Sequence, residues 1–88
     1  MARPGYFDAH YNLGIALASA REFARATQEF AEAAKLKPED SGAEANLGAA
    51  FAALGQDEKA LVHLQHALQL DPTNQLAREN LDALQKKP

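Results

Sequence analysis

The side chains most suited to chemistry in this chain are its histidines and serines. His63 and His66 lie three residues apart, a spacing that places both imidazoles on one face of a helix, where they could share a metal ion. His10 is distant in sequence, and two histidines without a nearby third ligand are usually solvated surface, so we predict no metal site. Ser19 and Ser41 have no identifiable base, and the chain contains no glycine-rich phosphate loop. The sequence therefore predicts neither an enzyme nor a bound cofactor.

Asparagine recurs at a fixed interval. Asn12, Asn46 and Asn80 are equally spaced along the chain. A side-chain amide offers both a donor and an acceptor, so a row of amides can hold the backbone of an extended peptide without selecting its side chains. The same amides can instead bond between neighbouring helices, and the residues alone allow both interpretations.

Charge and composition narrow the class of partner. The chain is 47% apolar and 24% charged with a net charge of -3, which is typical of a folded globular domain. Its Lys and Arg residues are dispersed among the acids and form no basic stripe, so we predict no nucleic-acid partner. The absence of cysteine excludes disulfides and thiolate chemistry and suits a reducing compartment, so we expect a cytoplasmic location.

Membrane insertion is not predicted either. No apolar run approaches the roughly 18–20 residues that a membrane-spanning helix needs. The motif Ala18-Ser19-Ala20 resembles a signal-peptidase site, but Asp8, His10 and Asn12 interrupt the segment before it. The same pattern also recurs in the middle of the chain, after Asn46, where no signal peptide could be.

The interval that separates the asparagines extends over most of the chain. Asn12-Leu13-Gly14 reappears as Asn46-Leu47-Gly48, and comparing 7–40 with 41–74 gives ten identities at equivalent positions. In the second copy the identical residues are Ala43, Asn46, Leu47, Gly48, Ala50, Ala52, Ala60, Ala67, Leu70 and Pro72. A period of this length is typical of stacked supersecondary units, none of which buries its apolar face alone.

Proline marks the end of each unit. Pro4, Pro38 and Pro72 share the same spacing, and Pro4-Gly5 is a turn signal. We therefore divide the chain into a lead-in over 1–6, repeats over 7–40 and 41–74, and a capping helix with its tail over 75–88.

Apolar spacing within each unit predicts two helices, and the fold class is all-α. We predict helices over 7–20, 23–36, 41–54 and 57–70, and a fifth from Thr73 or Asn74 to Lys86. Ser41 is the candidate N-cap of the third helix, where Glu44 would complete a capping box. Gly55 is expected to be left-handed, and Arg21 at the equivalent position should then be strained by about 1 kcal/mol.

Small residues predict where paired helices approach closely. These residues are Gly14, Ala26 and Ala33 in the first pair, and Gly48, Ala60 and Ala67 in the second. The apolar stripe of the first helix consists of Ala9, Leu13, Ala16, Leu17 and Ala20. We expect Leu13, Leu17, Phe30 and Leu36 to fill the remaining core of the first pair.

Both units resemble a known family. The residues that carry the resemblance are Leu13-Gly14, Ala26, Phe30, Ala33, Pro38, Leu47-Gly48, Phe51, Gly55, Ala60, Leu64, Ala67 and Pro72. They are similar to the tetratricopeptide repeat, a helix-turn-helix unit with the same period, over essentially all of 7–74. The departures are His10 and Glu44 where the family often has tryptophan, Arg21 for the turn glycine, and Asp57 for a common aromatic. The resemblance implies a solenoid of about five antiparallel helices.

The resemblance also implies a concave groove along one side of the first helix of each unit. In this chain the groove residues would be Asp8, Tyr11, Asn12, Ile15, Ser19, Gly42, Ala45, Asn46, Ala49, Ala53, Leu76, Glu79, Asn80 and Ala83. Alanine and glycine line its middle, so we expect a hollow there that accepts bulky apolar side chains. Some family members clamp a terminal carboxylate with lysines and arginine, but of the five positions concerned only Asn46 matches, so no clamp is predicted.

We therefore predict a non-catalytic module that binds a peptide or helix of a partner protein. Its affinity would come from apolar contacts with Ile15, Ala45, Ala49, Ala53 and Leu76, while Asn12, Asn46 and Asn80 fix the partner's backbone. The alternative is a self-assembling domain, because two repeats are few and the end at Met1 to Tyr6 has no polar cap. Tyr6, Phe7 and Tyr11 would then be buried against another copy in a homodimer or array.

Overall fold

The computed structural model describes residues 6–87, so the Pro4-Gly5 turn, the rest of the lead-in over 1–5, and Pro88 lie outside the described residues. Five α-helices occupy the described part of the chain: α1 (Tyr6–Ser19), α2 (Phe23–Leu36), α3 (Ser41–Ala53), α4 (Asp57–Leu70) and α5 (Gln75–Gln85). The prediction of an all-α fold is confirmed, and each helix begins and ends within two residues of its predicted bounds.

The helices stack in chain order into an elongated body of 45 × 27 × 18 Å. α1 packs on α2, α2 on α3, α3 on α4 and α4 on α5. The connections are short, so consecutive helices run antiparallel. α1 and α5 also contact α3, which lies between them. This arrangement is the helical repeat solenoid that the sequence period predicts.

The prediction that Ser41 caps α3 is wrong. The cap is Asp40, whose extended backbone allows its Oδ1 to accept a hydrogen bond of 2.9 Å from the Ala43 N–H. Ser41 is the first helical residue, and its hydroxyl donates to the Ala67 carbonyl at 2.9 Å, joining the start of α3 to the end of α4. Glu44 completes no capping box, because its side chain is buried against histidines of α4.

Both turns within the repeats contain a left-handed residue, as predicted. Arg21 has φ 64° and Gly55 has φ 77°. The hydrogen bonds around them are equivalent: the Glu22 N–H donates to the Leu17 carbonyl at 2.8 Å, and the Gln56 N–H donates to the Phe51 carbonyl at 2.9 Å. Such bonds end a helix on a residue with positive φ, where glycine avoids the clash of a Cβ atom.

Arg21→Gly is expected to stabilise the protein by up to about 1 kcal/mol, because it removes the strain of a Cβ atom in the left-handed region. The gain is partly offset by loss of the guanidinium contact with the Phe23 ring, whose centroid is 5.5 Å away. Thermal unfolding checks the prediction, since 1 kcal/mol corresponds to about 4–8 °C in a domain of this size. Arg21→Ala is the matched control: it removes the same side chain but keeps the Cβ atom, so it should not raise the melting temperature.

Each repeat is packed around one large side chain that lies over a glycine. Phe30 of α2 and Leu64 of α4 are the largest fully buried side chains. A Cβ atom at Gly14 would lie 2.6 Å from the Phe30 ring, and one at Gly48 would lie 2.7 Å from Leu64 Cγ. The other predicted small residues are also fully buried: Ala26, Ala33, Ala60 and Ala67. Small residues therefore do allow the close approach that the sequence predicts.

The predicted core position of Leu13 is wrong. Leu13 is 44% exposed, although Leu47 at the equivalent position of α3 is only 3% exposed. The two leucines differ in exposure because α2 covers this side of α3. Among the described helices α1 contacts only α2 and α3, and neither covers the equivalent side of α1. Ala9, Ala16 and Ala20 of the same stripe are exposed for the same reason, and Leu36, at the end of α2, is also exposed.

Candidate interaction groove

The first helices of the units, α1, α3 and α5, are neighbours, because α3 contacts both α1 and α5. We call the predicted groove residues on these helices the first-helix surface. Thirteen of the fourteen keep solvent access: Asp8, Tyr11, Asn12, Ile15, Ser19, Gly42, Asn46, Ala49, Ala53, Leu76, Glu79, Asn80 and Ala83. The structure therefore brings these predicted residues to the surfaces of three neighbouring helices.

Ala45 is the exception, and the expectation that it contacts a partner is wrong. Its side chain is fully buried and belongs to a core cluster with Leu64 and Ala77. The reason is its place on the central helix, where both α4 and α5 pack against the side that carries Ala45. Tyr11, at the equivalent position of α1, instead reaches toward α3.

Tyr11 fills part of the predicted hollow. A Cβ atom on Gly42 would lie 3.0 Å from the Tyr11 phenolic oxygen, so the phenol lies directly over this glycine. The ring is held by Phe7, with centroids 5.3 Å apart, and by an edge contact with Phe30 at 6.0 Å. Of the predicted alanines on α3, Ala49 and Ala53 keep solvent access.

The asparagines differ in their hydrogen bonds. The Asn46 side-chain NH₂ donates to the Tyr11 hydroxyl and to the Gly42 carbonyl, both at 2.9 Å. The Asn80 NH₂ donates to the Leu76 carbonyl at 2.9 Å, within its own helix. Of the two interpretations of the asparagines, the hydrogen bond between neighbouring helices is therefore seen for Asn46, whose side chain joins α3 to α1. Sequence reasoning missed the Tyr11 partner, because that contact is across two helices.

Burial raises the pKa of the Tyr11 phenol above 10.0, the nearby Asp40 carboxylate raises it further, and the hydrogen bond from Asn46 lowers it. A raised pKa means that folding favours the neutral phenol. This contribution to stability is complete below pH 10.0 and is lost as the pH rises through the pKa of the folded protein. We expect Tyr11→Phe to reduce the alkaline loss of stability, and at neutral pH to lower stability by about 1 kcal/mol through the lost hydrogen bond.

Urea unfolding measured between about pH 8 and 11 tests this prediction. The informative quantity is the difference between wild type and Tyr11→Phe, and equal pH slopes for the two would contradict it. Asn46→Ala is a second comparison: it removes the contact that lowers the pKa, so tyrosinate absorbance should appear at higher pH.

A buried carboxylate pairs with both histidines of α4. Glu44 is only 6% exposed, and its Oε1 lies 2.7 Å from His63 Nδ1 while its Oε2 lies 3.5 Å from His66 Nδ1. The His63 ring also stacks on Phe51, with centroids 5.6 Å apart. The interpretation of these histidines as merely solvated surface is wrong, because the His63 ring is hydrogen-bonded to a carboxylate that the fold has removed from water and His66 lies beside the same carboxylate.

The first repeat contains the same contact with its residues exchanged. His10 of α1 lies 2.7 Å from Glu29 of α2, measured from Nδ1 to Oε1. His10 and Glu44 occupy equivalent positions in the two repeats, as do Glu29 and His63, so each repeat joins its two helices with one histidine and one glutamate. The complementary exchange at equivalent positions was a signal available in the sequence.

Neither metal binding nor membrane insertion gains support from the described residues. In residues 6–87, no group of three or more His, Cys, Asp or Glu side chains is arranged to hold a metal ion. None of the described helices has both the length and the apolar character needed to cross a membrane.

Comparison with known protein families identifies the repeat. A model of the tetratricopeptide repeat matches residues 7–40, and a second model of the same repeat matches residues 43–74. No curated protein matches the chain. Tetratricopeptide repeats are protein–protein interaction modules. Because two such matches span most of the chain and coincide with its stacked helix pairs, this protein belongs to the tetratricopeptide repeat family.

Proposed function

We propose that the first-helix surface binds a peptide segment or helix of a partner protein. The observation that carries this proposal is the pattern of accessible apolar residues across three helices. Ile15 on α1 is 40% exposed and Leu76 on α5 is 37% exposed, and between them α3 presents the small residues Ala49 and Ala53. Large apolar side chains on both sides of small ones form a surface that a partner's bulky side chain fits.

The affinity of such a site would be moderate. Each apolar side chain that a partner buries contributes about 1.5–3 kcal/mol, and association itself opposes binding by several kcal/mol. The apolar contacts would centre on Ile15, Ala49, Ala53 and Leu76, with Ala45 excluded because it is buried. We therefore expect a dissociation constant of about 1–100 μM.

Asparagine would fix the partner's backbone through different atoms at each position. Both N–H groups of Asn46 are used within the protein, so its carbonyl oxygen is the atom left to accept a peptide N–H. Asn80 uses its NH₂ once, and Asn12 has an exposed amide. Asn46→Asp keeps an acceptor and should bind better than Asn46→Ala.

Charge favours a partner segment with basic residues. The charged members of the first-helix surface are Asp8 on α1 and Glu79 on α5, both acidic and both exposed. No lysine or arginine is present among its fourteen residues, so a terminal carboxylate would find no cation there. A segment that combines bulky apolar residues with Lys or Arg has the complementary chemistry.

The test is selection from a displayed random-peptide library against the immobilised chain, followed by calorimetric titration of an enriched peptide. We expect a shared motif of bulky apolar residues. Ala49→Glu should weaken binding at least tenfold because it fills and charges the centre of the first-helix surface. Val62→Glu is the matched control, since Val62 is 63% exposed on α4 and the charge change is the same.

Equal loss of binding in the two glutamate variants, or equal retention in both, would contradict this site. Failure to enrich any shared motif would contradict peptide binding itself. Circular dichroism of both variants establishes that each remains folded before binding is compared.

We further propose that the protein acts without catalysis or a cofactor, in the cytoplasm, and without binding nucleic acid. The net charge of -3, the dispersed basic residues and the lack of cysteine support these proposals.

Self-assembly is the second candidate function, but the exposed residues that favour it are not the aromatic residues named from the sequence. Tyr6 is exposed, as the prediction requires. Phe7 and Tyr11 are half-buried: Tyr11 packs against Phe30, and the Lys37 ammonium lies 4.5 Å from the Phe7 ring centroid. The observation that favours self-assembly is instead the exposed stripe around Leu13.

A further inference from the structure

Four residues of α3 on the first-helix surface lie in one row. They are Gly42, Asn46, Ala49 and Ala53, and their spacing of three or four residues places them along one side of the helix. Tyr11 of α1 reaches over the first of them, because its phenolic oxygen and Cε2 lie 3.0 and 3.8 Å from the position of a Cβ atom on Gly42. Ala49 and Ala53 keep solvent access. The row therefore begins at a position that the protein itself occupies and continues to accessible ones.

The Tyr11 ring is held in place from three directions. The Asn46 NH₂ donates to its hydroxyl at 2.9 Å, and the same NH₂ donates to the Gly42 carbonyl. The Phe7 ring lies beside it, with centroids 5.3 Å apart. The Phe30 ring contacts it edge-on at 6.0 Å and is itself only 1% exposed. A partner's side chain would have to break these contacts to displace the phenol, so Tyr11 is a fixed part of the surface.

The arrangement belongs to this pair of helices and is not repeated in the next pair. The residues of the next unit that are equivalent to Tyr11 and Gly42 are Ala45 and Leu76. The large residue is thus on the earlier helix in the first pair and on the later helix in the second. Ala45 is fully buried, and Leu76 is 37% exposed. The covered position over Gly42 is therefore a property of this sequence rather than of the repeat.

We infer that Tyr11 determines the specificity of the peptide site by occupying the place of a second bulky anchor. This inference rests on the proposed function. Gly42 and Ala49 are separated by about 10 Å along the axis of α3, which is enough for two bulky side chains if the phenol were absent. With Tyr11 in place, a partner's bulky apolar side chain binds over Ala49 and Ala53, and a small residue of the partner lies opposite the phenol. The partner class is a segment with a single bulky anchor.

Peptide selection against wild type, Tyr11→Phe and Tyr11→Ala tests this inference. Wild type and Tyr11→Phe should enrich a motif with one bulky apolar residue, because both keep the ring. Tyr11→Ala should also enrich a second bulky residue about 10 Å from the first, which is about three residues away in an extended segment and about seven in a helix.

Calorimetric titration of a matched pair of peptides, with one and two bulky residues, makes the test quantitative. The second bulky residue should weaken binding to wild type and to Tyr11→Phe, a comparison that does not depend on the folding of Tyr11→Ala. The two-anchor peptide should bind Tyr11→Ala at least tenfold more tightly than it binds wild type. Tighter binding of the two-anchor peptide to wild type, or equal affinity for wild type and Tyr11→Ala, would overturn the role of Tyr11.

The outcomes of selection separate this inference from the proposed function. The same single-anchor motif in wild type and in Tyr11→Ala would support the peptide site and overturn the role of Tyr11. A shared motif in Tyr11→Ala alone would support the role of Tyr11 and overturn peptide binding by the natural surface. No shared motif from any of the three chains would overturn both.

A small probe tests for the space over Gly42 without a peptide. The probe is p-cresol, which has the shape of the tyrosine side chain and should bind where Tyr11→Ala removes the ring beside Phe7. At a concentration equal to its Kd, it should raise the melting temperature of Tyr11→Ala by about 2–3 °C. It should not stabilise Tyr11→Phe, in which the ring still fills this space. Equal effects on the two variants would overturn the inference.

Discussion

Phe30→Ala is expected to lower the free energy of unfolding by about 3–5 kcal/mol, the largest single loss that we predict. Phe30 is fully buried and belongs to the cluster that joins α1, α2 and α3 through Leu17, Leu47 and Ala50. Removing its ring leaves a cavity that three helices would have to collapse around. A chain of 88 residues is stable by only about 4–13 kcal/mol, so a substantial fraction of the variant should be unfolded at 37 °C.

Urea unfolding measures this loss, and Gly14 provides an internal test of its cause. Gly14→Ala alone should destabilise, since its Cβ atom would lie 2.6 Å from the Phe30 ring. In Gly14→Ala with Phe30→Ala the clash disappears, so the double variant should be less unstable than the sum of the two single losses. Additive losses would contradict direct contact between these residues as the origin of the effect.

His63→Leu is expected to cost about 2–3 kcal/mol, because it leaves a buried carboxylate without its shortest hydrogen bond. Glu44 would keep only His66, whose Nδ1 is 3.5 Å from Oε2. Leucine keeps an apolar side chain beside Phe51 but loses the stacked ring, so the loss combines the carboxylate with a smaller packing term. The expected loss is moderate because the His63 side chain is 30% exposed, so water can partly replace its hydrogen bond to the carboxylate.

His10→Leu is the matched control in the first repeat. It breaks the equivalent 2.7 Å contact, but the Glu29 side chain is 25% exposed, compared with 8% for Glu44. Water can therefore reach the Glu29 carboxylate, and we expect a loss of about 1 kcal/mol or less. Urea unfolding of the two variants at neutral pH compares them directly. If His10→Leu were the more damaging change, burial of the carboxylate could not be the cause.

The fold was predictable because its signals are local or periodic. Pro38 and Pro72 mark the ends of α2 and α4, and Gly55 marks a left-handed turn that its repeat partner Arg21 shares. Gly14 and Gly48 indicate where helices approach closely, and the structure places Phe30 and Leu64 there. Repetition at a constant interval strengthens each signal, because a position that is ambiguous in one repeat can be interpreted from the equivalent position in the other.

The details of the candidate site were less predictable because they depend on contacts between helices. Asn46 was expected to offer its amide to a ligand, but its NH₂ is used by Tyr11 and Gly42. Ala45 was expected on the surface, but α4 and α5 cover it. Ser41 was expected to cap α3, but Asp40 caps it and Ser41 bonds to the end of α4. In each case a neighbouring helix determined which atoms remained accessible.

By itself, the sequence determined the repeat, its five helices and the small residues at their crossings, because helix period and turn chemistry act over a few residues. Only the tertiary structure decided which copy of each pattern is buried. Leu13 and Leu47 occupy the same position of their repeats. A packed helix, α2, covers Leu47, whereas no described helix covers Leu13, which is exposed. Burial is a property of the neighbours in space, and a residue's own segment does not contain that information.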